Sequence, residues 1–155
     1  MITAEEFLFF TDRALDGMVA VVTELGDDLV NERPGPPQTN SPYGIVTHCI
    51  GVLDFWVSRM VAGRQVERDR EAEFRATGKV ADLVARVERA KRQLHEDVAA
   101  ADPWGPLREP SPEKYRDTPV GRTQAAALLH AYEELAQHLG HLELTRDVLR
   151  VHNGS

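Results

Sequence analysis

Apolar residues recur at three- and four-residue steps in four long stretches of the chain, with polar residues between them. The first, Thr3 to Asn31, places Phe7, Ala14, Met18, Val21, Val22, Leu25 and Leu29 on one side. That period predicts an amphipathic helix, with Thr3 as its cap and Glu6 completing a capping box. The second opens with Ser41-Pro42, a cap followed by a first-turn proline, and carries Ile45, Val52, Leu53, Trp56 and Met60 as far as Gly63. The third, Val80 to Ala101, repeats Val80, Leu83, Val87, Ala90 and Leu94 among charges. The fourth runs from Thr123 to Arg150 through Leu128, Leu135, Leu139, Leu142 and Leu149. No stretch shows period-two alternation, so no sheet is expected.

Prolines mark the connections. Pro34, Pro36, Pro37 and Pro42 cluster in one stretch, and Pro103, Pro106, Pro110, Pro112 and Pro119 in another; proline has no amide donor and clashes with the preceding helical turn. Four helices of matched length, each about 33 to 43 Å at 1.5 Å per residue, bury their stripes by lying side by side. The expectation is an all-α, single-domain four-helix bundle over residues 1–155. The connection Arg64 to Gly78 is dense in charge and is expected to hold a short surface helix around Glu71 to Ala76. The connection Asp102 to Arg122 is long for a bundle loop, and long ordered loops often carry function.

Composition narrows the class. The chain has 155 residues, and 42% hydrophobic content is enough for a real core without disulfides. The single cysteine, Cys49, excludes an internal disulfide and suits a reducing cytoplasm. Lys plus Arg is 18 against 25 Asp plus Glu, a formal charge of −7, which disfavours gripping nucleic acid. Met1 to Phe10 carries Glu5 and Glu6 ahead of a very short apolar run, unlike a signal peptide. No apolar run is expected to approach the ~20 residues of a membrane span. The reading is a cytoplasmic protein with no membrane or nucleic-acid partner.

The fourth stretch contains the candidate chemistry. His130, Glu134, His138 and His141 follow one another at steps of four, four and three, within an arc of about 80° on one helix face. The neighbouring arc holds Leu128, Leu135, Leu139 and Leu142, so the polar stripe borders the core. A carboxylate there needs a cation, and a divalent metal satisfies Glu134 together with its histidines. Metal sites in bundles draw on more than one helix. His48, in register with Ile45 and Val52, is the candidate second source, giving a His₂Glu set with room for an external ligand. Two plainer readings stand beside this one: a solvated helix face with incidental spacing, and a hydrogen-bonded core histidine at position 48. Cys49, Trp56 and Trp104 read as packing residues, although Trp104 lies where it could line a pocket, and Arg146 reads as a carboxylate partner. His95 is expected to face solvent and His152 to lie in the tail.

Several segments together resemble the DinB-like superfamily of metal-binding four-helix proteins. They are Asn31-Glu-Arg-Pro34, Asn40-Ser-Pro-Tyr-Gly-Ile-Val-Thr-His48, Gly51-Val-Leu-Asp-Phe-Trp56 and Glu134-Leu-Ala-Gln-His138-Leu-Gly-His141-Leu-Glu-Leu-Thr-Arg146-Asp147. The chain is most similar to the actinobacterial branch of mycothiol S-transferases and the N-terminal domain of mycothiol-dependent maleylpyruvate isomerase. The resemblance implies metal ligation by His48, Glu134 and His138, and selects the branch with Glu rather than His at position 134. It also implies an up-down-down-up bundle, with Arg64 to Gly78 as the long crossover, and frequent dimers.

The implied activity has a physical basis. A free thiol with pKa near 8.5 is mostly protonated at neutral pH, and coordination to a divalent metal deprotonates it. Two neutral imidazoles and one carboxylate leave such a site at net +1, which one thiolate neutralises. Zinc accepts N, O and S ligands and is the first expectation, with nickel or another divalent ion as alternatives. The expected reaction joins mycothiol, or a similar small thiol, to a small electrophile in detoxification, with His141 and His130 orienting ligands or moving a proton. Two other functions stay open: a metal-dependent hydrolase, since His₂Glu plus water is a hydrolytic set, and a non-catalytic metal-binding stress protein. A ferritin-like di-iron protein is disfavoured because paired Glu-x-x-His motifs are missing.

Overall fold

The computed structural model describes residues 2–154, and they are all-helical, with no strand among them. Helix α1 spans Ala4–Leu29 and is interrupted at Gly26. Its start is the expected capping box: Thr3 Oγ1 accepts from the Glu6 amide at 3.1 Å, and the Thr3 amide donates to Glu6 Oε2 at 2.6 Å. Helix α2 spans Pro42–Leu53, capped by Ser41 Oγ, which accepts from the Gly44 amide at 3.1 Å. It runs without a break into a π-helical segment, Asp54–Val61. Helix α3 is the short Arg70–Arg75, α4 spans Val80–Ala99, and α5 spans Gln124–His152.

The four long helices pack as their stripes require: α1 lies against α4 and α5, and α2 lies against the same two. Their ends give the directions. Tyr43 at the start of α2 donates its amide to Val30 just after α1, at 2.8 Å. The Val80 amide at the start of α4 donates to Asp27 at 2.7 Å, and Lys91 meets Asp16 further along, so α4 runs against α1. Arg146 and Arg150 both pair with Glu24, so α5 runs along α1. The core joins Leu15, Met18, Val22, Ile45, Met60, Leu83, Leu94, Leu135 and Leu142, all essentially inaccessible.

Two expectations need correction. The stretch Pro42–Val61 is 20 residues long with mean hydropathy 1.2, enough to cross a membrane by length and composition, and 83% of its window is buried in the fold. All twelve residues of α2 are buried, so its apolarity reflects neighbours on every side, where α1 and α4 bury one face only. The second correction concerns α3. It forms where a short helix is expected, but it is not wholly a surface element, because Glu73 turns inward and is 8% exposed.

The long proline-rich connection is ordered by its own bonds. Gln124, buried at the start of α5, donates to the Pro106 carbonyl and accepts from the Asp102 amide, both at 2.9 Å. The Arg108 amide donates to the Met60 carbonyl at 2.8 Å, which ties the loop to the end of the π-helical segment. Two 3-10 turns, Glu113–Tyr115 and Pro119–Gly121, then bring Tyr115 over Trp56, with ring centroids 5.1 Å apart.

Candidate metal centre

The site starts with two glycines. Gly44, His48 and Gly51 lie on one face of α2, at steps of four and three, and α3 crosses that face. A Cβ at Gly44 would sit 3.0 Å from the Phe74 carbonyl oxygen, and one at Gly51 only 2.0 Å from Glu73 Oε1. Glycine inside a helix costs about 1 kcal/mol relative to alanine; here it lets α3 approach α2 closely. Phe74 stacks on the His48 ring with centroids 4.5 Å apart, and Glu73 Oε2 reaches His48 Nδ1 at 2.8 Å. Arg68 grips the same carboxylate with two donors, Nε to Oε1 at 2.7 Å and Nη2 to Oε2 at 3.0 Å. Such forked pairing fixes the carboxylate in orientation as well as charge.

This clamp sets the hydrogen on His48. An ionised carboxylate only accepts, so Nδ1 carries the N–H and Nε2 is the nitrogen left to act. Nε2 is buried and has no hydrogen-bond partner among the described residues. It points toward Glu134 Oε2, 3.7 Å away, and His138 Nε2 stands 3.7 Å from that same oxygen. His138 Nδ1 is likewise buried and without a partner. A ligand atom from each of His48, Glu134 and His138 lies within 4.8 Å of the others. Buried polar atoms left unpaired are costly, and a divalent cation shared by His48 Nε2, Glu134 and His138 removes that cost at His48. The histidine held from behind by a carboxylate is also the usual arrangement of metal-ligating imidazoles. The residues present fit a divalent metal.

The charges of the three differ. Burial opposes protonation of His48, but the Glu134 and Glu73 carboxylates outweigh it and raise its pKa above the ordinary histidine value. His48 lowers that of Glu134, against the effect of burial, with His130 and His138 adding to it. Burial lowers that of His138, helped by repulsion from His48, which favours the neutral imidazole a metal needs.

A cleft of about 310 Å³ opens over this cluster, with His48 and Glu134 in its lining. Val52, Phe55, Trp56 and Tyr115 supply its apolar walls. His130 is buried in the wall, edge-on to Trp56 with centroids 5.0 Å apart, and its Nε2 is 4.0 Å from Glu134 Oε1.

The structure therefore brings together His48, Glu134, His138 and His130. His141 is placed differently: it is exposed, its ring centroid is 5.8 Å from that of His138, and it lines a separate hollow with Pro34, Leu144 and Val148. Trp104 is 68% exposed and outside the cleft lining. Cys49 is fully buried and burial pushes its thiol pKa up, the opposite of a nucleophile's environment. His95 is exposed and pairs with Asp12 at 2.8 Å. Arg146 pairs with the carboxylates of Asp147 and Glu24, as a carboxylate partner should. Sequence reasoning missed Glu73 and Arg68, which sit among many charges in the crossover. The one signal for them was the pair of glycines flanking His48 by whole helical turns.

Residues 6–150 match the family model described as Mycothiol-S-transferase. The chain belongs to the mycothiol-S-transferase family. Among solved structures, it is similar to the crystal structure of the conserved protein of locus from Enterococcus faecalis, at 13% identity and a TM-score of 0.72. That match covers 96% of this chain and 98% of the other, and at this identity it shows a shared fold. No curated protein matches the chain.

Proposed function

We propose that the protein is a divalent-metal-dependent S-transferase that joins mycothiol, or a thiol like it, to a small electrophile. The observation that carries the reading is the convergence of His48 Nε2, buried and unpartnered among the described residues, with Glu134 and His138 beneath a small cleft, in a chain of this family. His48, Glu134 and His138 hold the metal, zinc by first preference and nickel or another divalent ion otherwise. When bound, the metal supplies acidity that keeps the thiol as thiolate at neutral pH. Glu73 and Arg68 hold the His48 ring so that Nε2 faces the cleft. His130, fixed by Glu133 at 3.1 Å, is the residue assigned to moving or holding a proton near Glu134. His141 acts through its neighbour His138, orienting that ring.

Further parts of the reading are architecture and setting. The end-to-end contacts of α1 with α2, α4 and α5 support a four-helix bundle in up-down-down-up order. A cytoplasmic, detoxifying role and homodimer formation follow from the family resemblance.

The test is metal analysis of the purified protein, then thiol-consumption assays with and without restored metal. Consumption by the metal-loaded form alone supports the transferase. Ester or amide cleavage without thiol would make the protein a hydrolase, and inertness in both assays would leave a metal-binding role.

A further inference from the structure

The charge around the cleft runs against the charge of the chain. The protein carries a formal −7, yet the lining includes Arg68, Arg70 and Lys114 against a single carboxylate, Glu134. Arg68 is committed to Glu73, and a metal would absorb Glu134. Arg70 and Lys114 remain. Among the described residues, no carboxylate oxygen is paired with either of them within 4.0 Å. Both are held by aromatic faces instead: the Arg70 guanidinium carbon is 5.6 Å from the Phe74 ring centre, and Lys114 Nζ is 4.9 Å from that of Tyr115. A cation held by a π face is positioned without being neutralised, and a stacked guanidinium keeps its N–H edge free for a planar acceptor.

Phe74 also stacks on His48, and Tyr115 also meets Trp56 and His130. The two cations are therefore attached, each through one ring, to the residues that shape the candidate centre. Between them the cleft offers flat apolar walls, Trp56 and Phe55 among them. At about 310 Å³ it sits at the small end of ligand pockets. Positive charge focused in a cleft of an acidic protein selects anions and speeds their arrival.

We infer that this cleft recognises a small planar organic anion, a carboxylate in class, through Arg70 and Lys114, with its apolar body against Trp56 and Phe55. This rests on the transferase reading in one respect only: there, the anion is the electrophile. Arg70 and Lys114 bind and orient; neither is a catalytic residue.

The experiment uses two probes of equal shape, cinnamate and cinnamamide, and reads Trp56 fluorescence in a Trp104→Phe background. It is run on metal-free protein and repeated with zinc. Cinnamate is expected to bind about tenfold or more tightly than cinnamamide in both forms, the gain expected of a charged hydrogen-bonded pair. In the Arg70→Gln/Lys114→Gln double variant the preference should fall to about twofold or less. Both side chains are exposed, so the fold should persist, and circular dichroism checks that it does. Equal binding of the two probes overturns the inference. So does a preference that survives in the double variant, or one that exists only with zinc, since the carboxylate would then be bound by the metal. Thiol consumption with a neutral electrophile is measured separately. Its absence defeats the transferase reading, while a retained charge preference in the binding assay keeps the anion site.

Discussion

Helix two carries two buried carboxylate clamps built from the same parts, and they end differently. In one, Asp97 of α4, 1% exposed, accepts from Ser58 Oγ at 2.7 Å, Arg64 Nε at 2.6 Å and Gln93 Nε2 at 3.0 Å. In the other, Glu73 of α3 accepts from His48 and from two nitrogens of Arg68. Each joins a helix-two side chain, a carboxylate and an arginine of the crossover. The Asp97 clamp closes on itself, with donors on both carboxylate oxygens. The Glu73 clamp passes through an imidazole and stops at His48 Nε2, buried, unpartnered and facing Glu134. The first arrangement is a lock, and the second positions an atom for something still to bind. A buried ion pair is thus informative less for its strength than for which atoms it leaves unpaired.

The largest effect expected from breaking this contrast is His138→Ala. It removes a proposed ligand from the open cluster, so zinc affinity should fall more than the tenfold to hundredfold typical of losing a ligand's outer partner. The metal-free variant should keep its helicity and lie within about 1 kcal/mol of the parent, because the residue lies beside the core rather than in it. Zinc titration and circular dichroism on one sample decide this. Collapse of helicity would make the cluster structural, and unchanged affinity would remove His138 from the ligand set.

Next comes Asp97→Ala, which opens the lock. Ser58 loses its acceptor in a buried setting, while Gln93, half-buried, keeps Glu96, so stability should drop by about 2–4 kcal/mol in urea unfolding. Arg64, about half exposed, can turn to water and limits the loss. Zinc affinity of the folded fraction should not move. If it did, the two clamps would be one coupled network.

Glu73→Gln weakens the open clamp without removing a ligand. Zinc affinity should fall tenfold to hundredfold with the fold intact. Gly51→Ala should act in the same direction, because its new Cβ occupies the place of Glu73 Oε1. Parent-like zinc binding in both variants would mean that His48 needs no support from behind.

Asp54 sharpens the comparison as a third carboxylate, this one on the helix-two segment itself, with no clamp at all. Its carboxylate makes no hydrogen bond among the described residues, and burial raises its pKa, with Arg86 compensating only in part. A carboxyl whose folded pKa exceeds its unfolded value stabilises the fold least once pH has risen above the folded value, and the penalty disappears below the unfolded value near 3.9. Asp54→Asn should therefore gain up to about 1 kcal/mol at pH 7 and nothing near pH 3, read as urea midpoints at the two pH values. A loss at pH 7 would assign Asp54 a partner.

Much of the scaffold was legible before any coordinates. Thr3 and Glu6 announced the capping box, Ser41-Pro42 the start of α2, and the apolar stripes named the larger part of the core, though not Leu15, Val46, Val57 or Ala131. The triple of His48, Glu134 and His138 was also readable, since four-residue spacing puts Glu134 and His138 on one face and the register of Ile45 and Val52 turns His48 inward. The Glu73 clamp was not readable as such, because Glu67, Glu71 and Glu73 look alike in a charged crossover. Nor was the π-helical segment, whose residues carry no distinct helical signature.

By itself, then, the amino-acid sequence determined where the four long helices begin and which faces of α1, α4 and α5 are buried, and it set two imidazoles and a carboxylate on tracks that border the core. These depend on local spacing, capping and apolar period, which act within a few turns of one chain segment. Only the tertiary structure decided which of the crossover carboxylates stands behind His48, how Tyr115 closes the cleft wall, that Arg70 and Lys114 face the cleft, and that His141 does not. Those depend on contacts between residues far apart in the chain, such as Glu73 over Gly51 and Tyr115 against Trp56. Local periodicity carries no information about them, because each is settled by how closely two packed helices or a loop can approach.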